Sequence, residues 1–215
     1  MESKNETRVF LVDDHQLMRE GLKTVLAAEP GIVVAGEAGS YEEMVKRLPK
    51  RGVDILILDI SLPDKNGLEI LKDLRERHPN MKTLILSMHP EERFGVRALK
   101  AGAWGYVNKQ TAATELTSAL ERIRSGKKFV SPELADQLLD EIDQPRPQAP
   151  HELLTDREFE ILQLIATGKS AADIGKQLSL SVNTITTYRT RILHKMNLRN
   201  NADLIRYSLE HRLID

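Results

Sequence analysis

The 215-residue chain carries 31 Lys and Arg against 32 Asp and Glu, a formal net charge of −1, with 40% hydrophobic and 29% charged residues. That balance is ordinary for a globular protein long enough to bury two cores, and it excludes a fibrous, coiled-coil or disordered chain. The lack of cysteine excludes disulfides, thiolate metal sites and thiol nucleophiles. The start, MESKNETRVFLVDD, has no apolar h-region and no run approaches a membrane span, so a cytoplasmic protein without a membrane partner is expected.

From residue 8, short apolar runs alternate with segments of helical periodicity. RVFLV (8–12) precedes Met18, Leu22, Val25 and Leu26, a helix that Pro30 and Gly31 stop; IVVAGE (32–37) precedes Met44, Val45 and Leu48. DILIL (54–58) precedes Leu68, Leu71 and Leu74; KTLILS (82–87) precedes a fourth helix; WGYV (104–107) precedes Leu116, Leu120 and Ile123. Five βα units in series predict a doubly wound, flavodoxin-like α/β domain with a five-stranded parallel sheet, and continuous apolar strands suit a sheet buried on both faces.

After Gly126, SPELADQLLDEI predicts one short helix, capped by Ser131 with Pro132 at its first position. DQPRPQAP then places Pro145, Pro147 and Pro150 within eight residues, which no regular element can cross, so 127–150 reads as a short helix and a semi-extended linker. Beyond it the chain is helical. TDRE (155–158) is a capping box and Gly168 a stop; Ser170 caps a second helix reaching Leu178; Ser181 caps a third reaching Met196; a fourth covers 201–211. The expected organisation is an α/β domain over 7–126 and a small all-α four-helix domain over 151–215, whose second and third helices have helix-turn-helix proportions at about 170–189.

A parallel α/β sheet binds ligands beyond the carboxyl ends of its strands. That rule gathers Asp13 and Asp14 after the first strand, Asp59 after the third, Ser87 at the end of the fourth and Lys109 after the fifth. Carboxylates a few Å apart repel by about 4 kcal/mol per pair at an effective dielectric near 20, so the set needs a cation. An all-oxygen set favours Mg²⁺. Mg²⁺ beside a lysine and a hydroxyl is equipment for phosphoryl transfer, and the central Asp59 is the expected nucleophile, its aspartyl phosphate held by Ser87 and Lys109. Singly, Asp14 reads as well as a helix cap, Ser87 as a cap for the fourth helix and Lys109 as a solvated lysine; their convergence on one rim favours the site. His15, in a first helical turn, reads as a structural or pocket-rim residue. GEAGS (36–40) lacks the G-x-G-x-x-G spacing of a nucleotide loop.

The pieces LVDDH, LILDISLPDKNGLEIL, LILSMH and AGAWGYVNK resemble the receiver domain of bacterial two-component response regulators over about 7–126. The resemblance implies phosphorylation of Asp59 by a partner sensor histidine kinase or a small acyl phosphate. It also implies Mg²⁺ bound by Asp14, Asp59 and the Ser61 carbonyl with Asp13 acting through water, and a switch pair of Ser87 and Tyr106. One departure is Gln110 after Lys109, where many receivers have proline, and a cis bond before a non-proline residue costs about 3 kcal/mol.

Charge is uneven. Arg189, Arg191, Lys195, Arg199 and Arg206 crowd 182–206 against Asp203, whereas 131–150 carries Glu133, Asp136, Asp140, Glu141 and Asp143 against Arg146. On a helical wheel of 182–196, Val182, Ile185, Tyr188, Ile192 and Met196 share a packing side; opposite them lie Asn183, Thr187, Thr190 and His194, with Thr186 and Arg191 at the flanks. Short hydroxyl and amide groups flanked by cations suit a major groove. LTDREFEILQLIATGKSAADIGKQLSLSVNTITTYRTRILHKMNLRNNADLIRY resembles the LuxR-type DNA-binding domain, and the whole chain the NarL/FixJ class. That likeness implies base contacts by Thr186, Thr187 and Thr190 and phosphate contacts by Arg189, Arg191 and Lys195, although Arg189 lies on the packed side of the wheel.

The expectation is a DNA-binding transcriptional regulator switched by phosphorylation, working on double-stranded DNA as a homodimer with RNA polymerase as a further candidate partner. It is not expected to be an enzyme acting on small molecules: phosphatases of the haloacid dehalogenase type need an acid two residues past the nucleophile, where this chain has Ser61. A phosphorylation-independent DNA binder whose receiver is a docking module is the alternative.

Overall fold

In a computed structural model the chain is described over residues 6–143 and 149–214, the side chains of 141–143 excepted. It divides into two compact units, 1–140 and 141–215.

In the first unit five strands, β1 (Thr7–Val12), β2 (Ile32–Ala38), β3 (Ile55–Leu58), β4 (Lys82–Ser87) and β5 (Gly105–Asn108), form one sheet in the order β2-β1-β3-β4-β5. Every pairing is parallel. Helices α1 (Gln16–Ala27), α2 (Tyr41–Arg47), α3 (Gly67–Arg77), α4 (Glu91–Ala101) and α5 (Ala112–Arg124) make the crossovers. Successive strand residues face opposite sides. Val9, Leu11, Ile55, Ile57, Leu84, Leu86 and Val107 therefore pack on Leu22 and Leu26 of α1 and Leu116, Leu120 and Ile123 of α5, while the intervening Phe10, Leu56, Leu58 and Ile85 are equally buried. β5 begins one residue later than the run WGYV suggests. Trp104 is spent in the preceding turn, where its amide donates to Thr83 O and the Lys82 ammonium lies 4.8 Å from its ring centroid.

α6 (Pro132–Asp143) follows, with the Ser131 hydroxyl accepting from Leu134 N as its cap. The segment expected as a proline linker lies mostly outside the described residues.

In the second unit a 3-10 turn (Pro150–Leu153) leads into α7 (Asp156–Ala166), α8 (Ala171–Gln177), α9 (Val182–Lys195) and α10 (Asn201–Glu210). Each α-helix has a side-chain N-cap, from Thr155, Ser170, Ser181 and Asn200, and at Thr155 both arms of the capping box are present. The turn joining α8 to α9 is tight because two residues allow it. Ser179 takes a left-handed backbone (φ 52°), and a Cβ on Gly175 would stand 2.6 Å from Leu180 O. On α9, Ile185, Ile192 and Met196 are buried as the wheel requires. Val182 departs from it at 49% exposed. As the first helical residue it has no preceding turn to lie over.

Candidate functional site

The site forms where the strand order reverses, between β1 and β3. The Asp59 amide donates to Val12 O at 2.9 Å, bringing the end of β3 beside Asp13. Asp13 and Asp59 are each 2% exposed. Burial without hydration is costly for a carboxylate, and the compensation comes from the residue just after β5: Lys109 Nζ lies 2.7 Å from Asp59 Oδ2 and 2.7 Å from Asp13 Oδ2. The contact to Asp59 is a directed hydrogen bond. That to Asp13 is an ion pair at the same distance, so one ammonium serves both buried acids.

The loop after Asp59 is closed as tightly as chemistry permits. Ser61 N donates to Asp59 Oδ1 at 3.2 Å, Gly67 N to Ile60 O at 2.7 Å, and the buried Asn66 caps α3 by accepting from Leu68 N at 2.9 Å. A Cβ on Gly67 would stand 2.2 Å from Asp59 O, so the start of α3 can approach the acid only as glycine.

Ser87 is fully buried at the end of β4, its Oγ accepting from His89 N at 3.2 Å. Tyr106 on β5 is buried as well, donating to His89 O at 2.7 Å and hydrogen-bonded to Ser87. The structure thus brings together Asp13, Asp14, Asp59, Ser61, Ser87, Tyr106 and Lys109. The Lys109–Gln110 peptide is trans. His15, expected as a structural or pocket-rim residue, stands at the rim, its Nδ1 2.7 Å from Asp14 Oδ1 and 3.3 Å from Asp13 Oδ1. His89 Nε2 is 3.1 Å from Ser61 Oγ, a contact between two loops that no sequence spacing announces.

The electrostatics follow from burial. Desolvation, with the Asp13 charge adding to it, pushes the Asp59 carboxyl up to about 6 despite the opposing pull of Lys109. Lys109 is pulled down by burial, but Asp59 and Asp13 outweigh that and hold it above its ordinary value. Burial also pushes the Tyr106 hydroxyl up, so it stays a neutral donor.

Ligand atoms of Asp13, Asp14, His15 and Asp59 all lie within 4.8 Å of one another, a geometry that could hold a metal ion. The donor set fits a hard divalent cation. The three carboxylates against the single Lys109 ammonium leave two negative charges, and His15 is occupied with Asp14, so oxygens predominate.

On α9, Asn183, Thr186, Thr187, Thr190 and Arg191 are exposed on one side. The three threonine hydroxyls are spent within the helix: Thr186, Thr187 and Thr190 donate to Val182 O, Asn183 O and Thr186 O at 2.9, 3.0 and 3.0 Å. Each is left with a free methyl group and acceptor lone pairs. Arg189 Nε donates to Asn201 Oδ1 at 2.6 Å, tying α9 to α10. Lys195 Nζ donates to Glu158 Oε2, also at 2.6 Å. Both cations thus have a structural partner that the wheel did not reveal, and both keep further N–H donors.

An acid pocket with a buried lysine on a flavodoxin-like sheet, followed by a four-helix unit with a tight α8–α9 turn, has the layout of an input domain joined to an output domain. Residues 9–121 match the response regulator receiver domain family, and residues 152–208 match the luxR family of bacterial regulatory proteins. The chain is 33% identical to the response regulator UvrY of Escherichia coli K12 over 206 residues, 95% of this chain and 94% of that one. Among solved structures it resembles RcsB of Salmonella enterica serovar Typhimurium bound to the promoter rprA in the presence of the phosphomimetic BeF₃⁻, with TM-score 0.63 and 28% identity over 94% of this chain and 98% of that one. It also resembles two RcsB dimers bound to two parallel DNAs, with TM-score 0.59 and 27% identity over the same shares. The chain belongs to the NarL/FixJ class of two-component response regulators, receiver joined to LuxR-type helix-turn-helix domain, and is a DNA-binding transcriptional regulator.

Proposed function

We propose that Asp59 is the phosphoacceptor of this regulator, that the donor is a sensor histidine kinase or a small acyl phosphate, and that phosphorylation controls DNA binding by a homodimer. The observation that carries this reading is the buried Asp59 carboxylate held 2.7 Å from the Lys109 ammonium, beside an acid cluster with two unbalanced charges. A carboxylate oxygen of Asp59 attacks the donor's phosphorus; the bond from phosphorus to the donor's nitrogen or oxygen breaks, and its electron pair leaves with the donor. Mg²⁺ would be held by Asp14, Asp59 and the Ser61 carbonyl, with Asp13 through water, and would supply positive charge to the phosphoryl oxygens.

Lys109 and Ser87 are placed to donate to the product's new oxygens. Drawing the Ser87 hydroxyl toward the phosphoryl group removes it from Tyr106, the neighbour with which it shares a hydrogen bond. The Ser87–Tyr106 pair thereby senses the reaction and biases the receiver between two states. In the DNA-binding domain, Asn183, Thr186, Thr187 and Thr190 meet base edges while Arg191, with the remaining donors of Arg189 and Lys195, meets phosphates. Half-sites about 10 bp apart are expected for the dimer. The receiver extends over 7–126 and the DNA-binding domain over 151–215.

The test is mass spectrometry of the full chain after acetyl phosphate and Mg²⁺. One phosphoryl group should map to Asp59, be absent from the Asp59→Asn protein, and accompany dimerisation and tighter promoter binding. A wild-type chain that stays unmodified, or an Asp59→Asn chain that responds equally, would overturn the reading in favour of a receiver that only docks.

A further inference from the structure

A cleft of about 140 Å³ opens between α2 and α3 of the receiver. Met44 and Leu74 form its buried floor, and Tyr41, Leu48 and the 54% exposed Val45 form its walls. An engineered apolar cavity of roughly 150 Å³ takes a benzene ring, so this cleft takes one leucine-sized side chain. The mouth is basic. Lys50, Arg77 and His78 stand around it with Asp73, whose charge is engaged by Lys65, and neither Lys50 nor Arg77 has an acidic partner among the described residues. The cleft is also preformed: both Asp64 carboxylate oxygens accept from the first turn of α2, Tyr41 N and Glu42 N each at 2.9 Å, and the Lys65 ammonium lies 4.5 Å from the Tyr41 ring centroid.

The same chain carries the complement. Residues 132–143 contain no cation and five acids, Glu133, Asp136, Asp140, Glu141 and Asp143. Within α6, Leu134 is buried beside Gly95 of α4, which anchors one side of the helix. Leu139 is 57% exposed, with Asp136 one turn before it and Asp140 next to it. An exposed leucine between carboxylates matches an apolar hole between cations in both size and charge.

We propose that the α2–α3 cleft receives Leu139 of a second copy of this chain, with Asp136 and Asp140 of one copy meeting Lys50 and Arg77 of the other. Anchored on α4, a copy's own α6 leaves its Leu139 in solvent, so the occupant comes from a neighbour. Two copies that exchange Leu139 reciprocally close with two-fold symmetry and leave neither cleft open. Exposed ion pairs contribute little each, so they set orientation while the leucine supplies the adhesion, and the association is weak and salt-sensitive. It is independent of the chemistry at Asp59.

The absence of native cysteine makes the contact directly readable. Full-length Val45→Cys and Leu139→Cys proteins, mixed under mild oxidation, should yield a disulfide joining positions 45 and 139, identified by peptide mass spectrometry. Its yield should be several-fold above that from a control mixture of Leu17→Cys with Leu139→Cys. Since each protein carries a single thiol, this link forms only between copies. Lys50→Glu with Arg77→Glu in the first partner should lower the yield several-fold, and Asp136→Lys with Asp140→Lys in the second should restore it. A 45–139 yield no higher than the control, links only between like positions, or a charge reversal that is without effect or is not rescued would overturn the proposal.

Discussion

Lys195 donates a 2.6 Å hydrogen bond to Glu158, fastening the last turn of α9 to the first turn of α7. Glu158 Oε2 also accepts from Thr155 N at 2.8 Å, closing the capping box, so one carboxylate serves a helix start and an inter-helix tie. Burial raises the Glu158 carboxyl, but Lys195 and the Thr155 amide outweigh it and hold it below the ordinary carboxylate range. A depressed pKa contributes stability that is present above the unfolded value and lost as pH falls through the folded one. Glu158→Gln should therefore cost the DNA-binding domain about 1–2 kcal/mol at pH 7, a gap that closes as pH drops below the carboxylate range. Urea unfolding across that range measures it, and a pH-independent gap would contradict the assignment.

At the acid pocket, the rise of Asp59 from an ordinary 3.8 to about 6 corresponds to a cost on the order of 3 kcal/mol for keeping it ionised, at about 1.36 kcal/mol per unit. In chelator at pH 7.5, Asp59→Asn should thus melt higher than wild type, by on the order of 10 °C. Added Mg²⁺ should raise the wild-type melting temperature and reduce the difference, because only the ionised pocket binds it tightly. Calorimetry with and without the ion decides; a mutant that melts lower in chelator would mean that the acid is not strained.

Gly67 tests the loop geometry. A Cβ placed 2.2 Å from Asp59 O cannot be absorbed by a side-chain rotation, since the obstacle is backbone. Gly67→Ala should destabilise the receiver by about 2–4 kcal/mol, well beyond the usual effect of alanine replacing a helical glycine, which is stabilising. Thermal unfolding and Mg²⁺ titration should show the loss together.

The spent hydroxyls of Thr186, Thr187 and Thr190 predict how α9 reads DNA. With the protons turned back to the helix, each threonine offers a base its methyl and its acceptor lone pairs but no proton, and the methyls favour contact with the 5-methyl of thymine. Substituting uracil for thymine at contacted positions should weaken binding by about 0.8 kcal/mol per lost methyl, roughly fourfold. Arg191→Ala should instead weaken all sequences alike and lower the salt slope by about 0.9. Fluorescence anisotropy against both oligonucleotides at several salt concentrations separates the two effects.

The parts of the molecule legible in sequence are those fixed by backbone topology. Strand runs and helical periods specify the parallel sheet, and the strand ends then bring Asp13, Asp59, Ser87 and Lys109 together whatever their rotamers. The parts not legible depend on where long side chains turn. Lys195 reaches Glu158 across 37 positions, Asp64 caps α2 across 22 and 23, and His89 meets Ser61 across 28. None of these follows from periodicity. Val182 was misplaced because a wheel treats every turn as equally covered, and the first turn is not.

The position of Lys109 between Asp13 and Asp59 gives the receiver a resident counter-ion. Folding need not wait for metal, and chelation leaves a partly neutralised pocket rather than bare repulsion. On the proposed reading, magnesium would come and go as a cofactor of the phosphoryl reaction instead of serving as a structural rivet, and its removal would leave the fold in place.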